Sequence, residues 1–164
     1  VPDCAYSLSW RTYVGRFNPE RARELGIPVT LWKRLHMGET VVLDDGRVIK
    51  PEDVVEVRGS GLVKIVYTGD TAPTETVIDI SRGAQVLIHD STFSAIEDGN
   101  LIWNQGHSRS IDAARVAKEA GVDKLVLTHI SNRYSDPELL ATEASEIFTN
   151  VIAARDLMSL TITS

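Results

Sequence analysis

The sequence predicts an α/β fold on a mostly parallel sheet, and three observations carry that expectation. Strand-like and helix-like segments alternate three times between residues 62 and 148, the order that a parallel sheet with right-handed crossovers requires. The strand-like segments are short and apolar, as strands buried on both faces are. Each also turns from apolar to polar at its C-terminal end, the side on which open α/β sheets bind their ligands.

Residues 1–61 read as an irregular, arm-like segment containing a hairpin, and residues 62–164 as a β/α half-domain. In the first segment a helix is expected near 19–25, with Asn18 as N-cap, Pro19 at its first position and Gly26 past its end. Val41–Leu43 and Arg47–Ile49 flank Asp44-Asp45-Gly46, a hairpin-turn composition. Pro51 to Gly61 reads as connection, with Gly59-Ser60-Gly61 as a flexible joint. In the second segment Leu62–Thr68 reads as a strand, followed by a helix at about 74–81. Gln85–His89 is a second strand. The helix expected over 109–120 has Ile111, Ala114, Ala117 and Ala120 at helical spacing and Gly121 as its stop. Asp123–His129 is a third strand. A helix from Pro137 to about Phe148 follows, with Asp136 as N-cap. Val151–Ala154 and Leu157–Ile162 read as a closing hairpin at the sheet edge.

Hydrophobic residues make up 43% of the 164, enough for a real core, and charged residues 24%. The net charge of −6 argues against a general nucleic-acid binder, which needs clustered Lys and Arg. It leaves room for an enzyme with a local basic patch or bound metal ions. The single cysteine, Cys4, cannot form a disulfide within the chain, which points to a reducing compartment such as the cytoplasm. No apolar run is long enough to span a membrane. The first residues, Val-Pro-Asp-Cys, do not resemble a secretory signal, and without an initiator Met Val1 reads as the product of truncation or cleavage.

The three strands run into Thr68-Gly69-Asp70-Thr71, His89-Asp90-Ser91-Thr92 and Thr128-His129-Ile130-Ser131. Asp70, His89, Asp90 and His129 are therefore candidates to meet on one rim, and Asp and neutral His suit zinc and similar ions. The plainer readings are a turn or N-cap role for Asp70 and a hydrogen-bonded histidine beneath the rim for His89. His107 precedes the 109–120 helix, in Gln105-Gly106-His107-Ser108-Arg109-Ser110, where Ser108 or Ser110 can cap and an anion is favoured. It suits binding or protonating a phosphate-like group; alone, it reads more simply as a solvent-exposed loop histidine. Arg133, four residues after His129, can clamp a phosphate by a bidentate contact or simply pair near Asp136 or Glu138. Trp32-Lys33-Arg34 offers stacking and charge to RNA, but reads better as a packed Trp with two solvated charges.

Together these motifs resemble the C-terminal half of a ribonuclease Z, the tRNA 3′-processing endonuclease of the metallo-β-lactamase fold. Tyr67-Thr68-Gly69-Asp70-Thr71 is similar to the family's Gly-Asp-Thr motif. Leu87-Ile88-His89-Asp90-Ser91-Thr92-Phe93 resembles its His-Glu-Ala-Thr-Phe element, with Asp90 and Ser91 in place of Glu and Ala. Gly106-His107-Ser108 and Leu127 to Tyr134 resemble the two motifs that follow. The resemblance implies half of an αβ/βα sandwich with Asp70 and His129 as metal ligands and His107 catalytic at the scissile phosphate. It further implies that Ser131 and Arg133 contact phosphate, while His89 and Asp90 support. The complete enzyme would hold two zinc ions, act on precursor tRNA and form a homodimer.

Departures accompany the resemblance. The stretch Gly26 to Leu35 lacks the Gly-Pro repeat usual in the family's tRNA-gripping arm, and Ala72 replaces the Arg often found after the family's Gly-Asp-Thr motif. The family's His-x-His-x-Asp-His motif is absent, the only histidines being His36, His89, His107 and His129. The isolated chain is therefore expected to bind zinc weakly and not to cleave tRNA. With one sheet face and an edge left open, it is expected to associate with itself or with a missing half. The competing readings are another metallo-β-lactamase-fold hydrolase, such as a phosphodiesterase, arylsulfatase or lactonase, and a non-catalytic binding or assembly module.

Overall fold

The computed structural model describes residues 3–98 and 106–162. Its elements run β1 (Tyr6–Phe17), α1 (Pro19–Glu24), α2 (Val29–His36), β2 (Val41–Val42), β3 (Val48–Ile49), a 3-10 turn (Pro51–Asp53) and β4 (Val55–Tyr67). They continue with α3 (Glu75–Ser81), β5 (Val86–Asp90), α4 (Ser110–Ala120), β6 (Lys124–Thr128), α5 (Glu138–Ser145) and β7 (Val151–Ala153). The chain divides into two compact units, one of residues up to Ser9 and from Lys64 onward, the other of Trp10–Val63.

The main sheet has the order β1-β4-β5-β6-β7. Its strands from β4 to β7 are parallel neighbours. Val66, Leu87, Leu125 and Val151 form one row across it, and Tyr67, Ile88, Val126 and Ile152 form the next. Successive strand residues point to opposite faces, so the two rows face opposite ways. On the first side Val66, Leu87 and Leu125 share an apolar core with Val77 of α3, Ala113, Ala114 and Ala117 of α4, and Leu140 and Ala144 of α5. Truncating a buried leucine such as Leu87 to Ala costs about 2–5 kcal/mol. On the second side Val126 is buried, Ile88 and Ile152 are half-buried, and Tyr67 is 43% exposed. The expected burial is thus complete only on the helix-covered face.

Local signals explain the helices of this unit. Thr74 accepts a hydrogen bond from the Val77 amide at 3.2 Å and starts α3. Gly121, at φ +64°, ends α4 in the left-handed conformation that favours glycine. α5 is shorter than expected and has Pro137 at the N-cap position, while Asp136 accepts from the Glu138 amide at 3.1 Å.

The other unit has a small core of Ala22, Ile27, Leu35, Val41, Leu43, Ile49, Val54 and Val55. α1 begins as expected, with the Asn18 side chain accepting from the Arg21 amide at 2.9 Å. The hairpin appears as the antiparallel pair β2–β3. Trp32 is packed: its ring lies 5.2 Å from that of Phe17, and its indole N–H donates to the Ile27 carbonyl at 3.0 Å.

Three readings need correction. The first 60 residues are not irregular: β1 covers 12 of them, and α2 was not foreseen. The segment read as a connection with a joint at Gly59-Ser60-Gly61 belongs largely to β4, because the strand begins at Val55. The closing hairpin does not form: β7 runs parallel to β6, and residues 158–162 are not a strand.

Candidate functional site

β4, β5 and β6 end at Tyr67, Asp90 and Thr128, so the polar residues that follow gather on one rim. Backbone hydrogen bonds tie these ends together: Ser91 N–H donates to the Thr128 carbonyl at 2.8 Å, and Ser131 N–H to that of Thr92 at 3.2 Å. His107 is brought in by a parallel bridge between Phe93 and Arg109. The Ser108 hydroxyl helps by donating to the Thr71 carbonyl at 2.7 Å, so it does not cap α4. Nor does Ser110, whose hydroxyl donates to Glu143. Glu143, buried on α5, also accepts from the Ser94 hydroxyl at 2.5 Å and the Ala95 amide at 2.8 Å, which fixes the loop after β5 to the start of α4.

Asp90 is the inner carboxylate, with its side chain fully buried. One oxygen accepts from the Thr92 amide at 2.9 Å and the Thr92 hydroxyl at 2.7 Å. The other accepts from the Thr71 amide at 3.0 Å and pairs with His107 Nδ1 at 2.8 Å. A buried carboxylate can only accept, so each of these groups must donate to it. His107 Nδ1 therefore bears its proton, and Nε2 is the atom left for chemistry. The ring is 25% exposed, stacks on His129 at 5.0 Å, and stands edge-on to Phe93 at 6.1 Å.

The same accounting fixes His129. The Thr92 hydroxyl has one proton and spends it on Asp90, yet it lies 2.8 Å from His129 Nδ1. That nitrogen must then be the donor, which leaves a lone pair on Nε2 in the neutral ring. Nε2 faces Asp70 Oδ2 at 3.2 Å. Two acceptors at that distance call for a proton or a cation between them. Two ligands of a tetrahedral metal with bonds near 2.0–2.2 Å lie about 3.3 Å apart, so the pair fits a shared metal ion. Asp70, His107 and His129 each offer a donor atom within 4.8 Å of the others, the one such group among the described residues. His129 also takes φ +55°, unusual for a residue with a β-carbon and characteristic of placements the surroundings dictate.

His89 stands apart. It is fully buried, and its Nδ1–H donates to the Asp90 carbonyl at 2.8 Å. Burial holds its pKa below the ordinary value, so the ring is neutral. Arg133 pairs with Asp98 at 2.8 Å rather than with Asp136 or Glu138, and its Nε donates to the Ser131 hydroxyl at 3.2 Å. Tyr134, whose hydroxyl donates to Asp98, is pushed up to about 12, chiefly by burial.

Sequence reasoning missed two contributors. Thr92 sets the tautomer of one histidine and touches the other. Asp3 accepts the Asp70 amide at 2.6 Å and lies against Gly69, where a β-carbon would come 2.5 Å from the Asp3 carboxylate. Gly69 sits at φ +67°, a conformation that favours glycine, and a β-carbon there would also displace the Asp3 carboxylate from the Asp70 amide. Nothing in the sequence joins positions 67 residues apart, although Asp90 followed by Thr92 is a recognisable side-chain-to-backbone pattern.

No family model matches the chain. A ribonuclease Z of Gemmatimonas aurantiaca is 51% identical over 144 residues, which is 87% of this chain and 45% of that protein. A ribonuclease Z of Archaeoglobus fulgidus is 44% identical over 166 aligned positions, 99% of this chain and 53% of that protein. The crystal structure of a long form RNase Z from yeast matches with a TM-score of 0.51 at 20% identity, over 77% of this chain and 18% of that one, a likeness of fold. The chain spans about half the length of the curated relatives it matches.

Proposed function

This chain belongs to the ribonuclease Z family, and on that premise we propose that it supplies one wall of a zinc-dependent endoribonuclease site that removes the 3′ trailer from precursor tRNA. The observation that carries this reading is the meeting of Asp70, His107 and His129, with bare ring nitrogens enforced by Asp90 and Thr92. Asp70 and His129 are the metal ligands and His107 is the proton donor. A zinc ion held there would supply hydroxide near neutral pH. His107, whose Nδ1–H is held by Asp90, first takes up a proton at its bare Nε2 and, as the imidazolium, gives that proton to the oxygen that departs as the P–O bond breaks. Ser131 and Arg133 hold phosphate oxygens; the Arg133 side chain is 52% exposed and exchanges Asp98 for the substrate. His89 and Asp90 support the rim from beneath.

Two protein ligands fall short of the three or four that zinc sites use. Alone, the 164-residue chain therefore binds zinc weakly and leaves precursor tRNA intact. The complete protein works as a homodimer in the cytoplasm, a location that suits the free, exposed Cys4. No helix among the described residues is long and apolar enough to cross a membrane. The test compares this chain with its full-length parent on precursor tRNA, with EDTA and after zinc is restored. Cleavage by the parent that EDTA abolishes and zinc restores is expected. Efficient chelator-sensitive cleavage by the isolated chain would overturn the shared-site reading, and a zinc-loaded parent that leaves the trailer in place would overturn the activity.

One observation favours a second reading, a phosphodiesterase of smaller substrates. Trp32, the one aromatic in a basic cluster of the arm-like segment, is engaged by Phe17 and Ile27 and is not presented for stacking on RNA. Turnover of bis(p-nitrophenyl) phosphate without precursor tRNA cleavage would select it.

A further inference from the structure

A cavity of about 280 Å³ opens beside His107, lined also by Phe93 but not by His129, and it has no role in the site described above. We propose that it is a nucleobase pocket, receiving the base of a nucleotide that flanks the scissile phosphate. The inference rests on the phosphodiester reading of the site and names what that reading leaves open, the part of the substrate held beyond the phosphate.

Three observations carry it. The first is place. His107 lines the cavity and also belongs to the Asp70–His129 cluster, so a group in the cavity adjoins a phosphate on the rim. The second is chemistry. The walls come from Pro73, Ile78, Phe93 and Val116, which present apolar surface to the flat faces of a base. At the mouth stand Arg115 and Glu119, both exposed, a donor and an acceptor for a base edge. Apolar walls with a few convergent polar groups are how small planar ligands are held. The third is size. The volume lies at the small end for ligand pockets, suiting one base and excluding a folded strand. The floor is also rigid. Asp112 at the start of α4 pairs with Arg109 at 2.8 Å and with Arg115 at 3.1 Å, and the Phe93–Arg109 bridge ties the two walls.

The test uses this chain, supplied with zinc, in NMR titrations with adenosine 3′-monophosphate, adenosine, ribose 5-phosphate and inorganic phosphate. The nucleotide is expected to bind about tenfold more tightly than ribose 5-phosphate, the gain that stacking one base provides. Its shifts should centre on the Ile78 and Val116 amides. Ala72→Phe, which narrows the cavity from its half-buried edge, should bring the nucleotide down to the affinity of ribose 5-phosphate. Arg115→Ala, an exposed change that leaves the core intact, should weaken adenosine 3′-monophosphate at least threefold and leave inorganic phosphate unchanged. Equal affinities for the nucleotide and ribose 5-phosphate, with Ile78 and Val116 unmoved, overturn the pocket. Adenosine that shifts Ile78 and Val116 while inorganic phosphate leaves His107 and His129 unmoved supports the pocket and counts only against the phosphodiester reading.

Discussion

Asp70 lies just after β4 and Asp90 ends the neighbouring β5, yet the Asp70 side chain is 49% exposed and that of Asp90 is fully buried. Asp90 is surrounded by donors from Thr71, Thr92 and His107. Asp70 faces the lone-pair side of His129 and is held through its backbone amide by Asp3. The inner carboxylate is saturated and can only organise its neighbours. The outer one retains acceptor capacity that the protein does not use, the condition a metal ligand must meet. The rim thus separates support from chemistry by burial, although both halves use the same residue types.

The strongest way to break this contrast is to delete each carboxylate in turn. Asp90→Ala should cost about 3–5 kcal/mol in urea unfolding, because it strands buried donors that now have a partner. Asp70→Ala in metal-free protein should change stability by no more than about 0.5 kcal/mol. Equal losses would erase the distinction. Metal affinity sharpens it in the other direction. Thr92→Val should lower zinc affinity about 10–100-fold by freeing the His129 ring, and Asp70→Asn should lower it further, both read by competition with a chromophoric chelator.

A smaller effect comes from His89. Burial keeps its folded pKa below the ordinary 6.5, so the unfolded chain takes up the proton first. Stability from this group is therefore present above pH 6.5 and is lost as pH falls below it. Between pH 7.5 and 5.5 the urea midpoint of the unaltered protein should drop more than that of His89→Gln. Arg133→Ala is the mildest change. Its guanidinium is half exposed, and the largely buried Asp98 keeps the Ser94 amide and Tyr134 hydroxyl as donors, so the pair should be worth about 1 kcal/mol, while KM for precursor tRNA in the complete protein should rise with kcat less affected.

The β/α units were legible because each carried its own punctuation. Thr74 caps α3, Gly121 stops α4, and the apolar stretches beginning at Leu62, Val86 and Leu125 end in polar residues. β1 was not, because Tyr6 to Phe17 mixes Ser, Arg and Gly with its apolar residues, and a strand paired with a distant segment carries little local signal. Gly59-Ser60-Gly61 looked like a joint because its composition speaks only of backbone freedom, whereas the ladder of β4 uses backbone groups alone. α2 follows Pro28 without a capping side chain, so its start had no mark. In the site, Asp70 and His129 stand out by residue type at strand ends and His107 by its place before a helix, and the family resemblance is what singles out all three. Thr92 and Asp3 were not, because their part depends on where one hydroxyl proton and one amide point.

The alternation of His89 and Asp90 sets the terms on which this chain can change length. His89 shares a face with Leu87, the helix side, and Asp90 shares one with Ile88. Losing a single residue inside Val86–Asp90 would exchange those faces, sending the imidazole to the rim and the carboxylate in among the alanines of α4. The turn at Asp44-Asp45-Gly46 has no such parity to keep. Insertions and deletions should therefore be tolerated in that turn and rejected in β5, and a library of single-residue deletions scored for soluble expression should show a sharp minimum across those five positions.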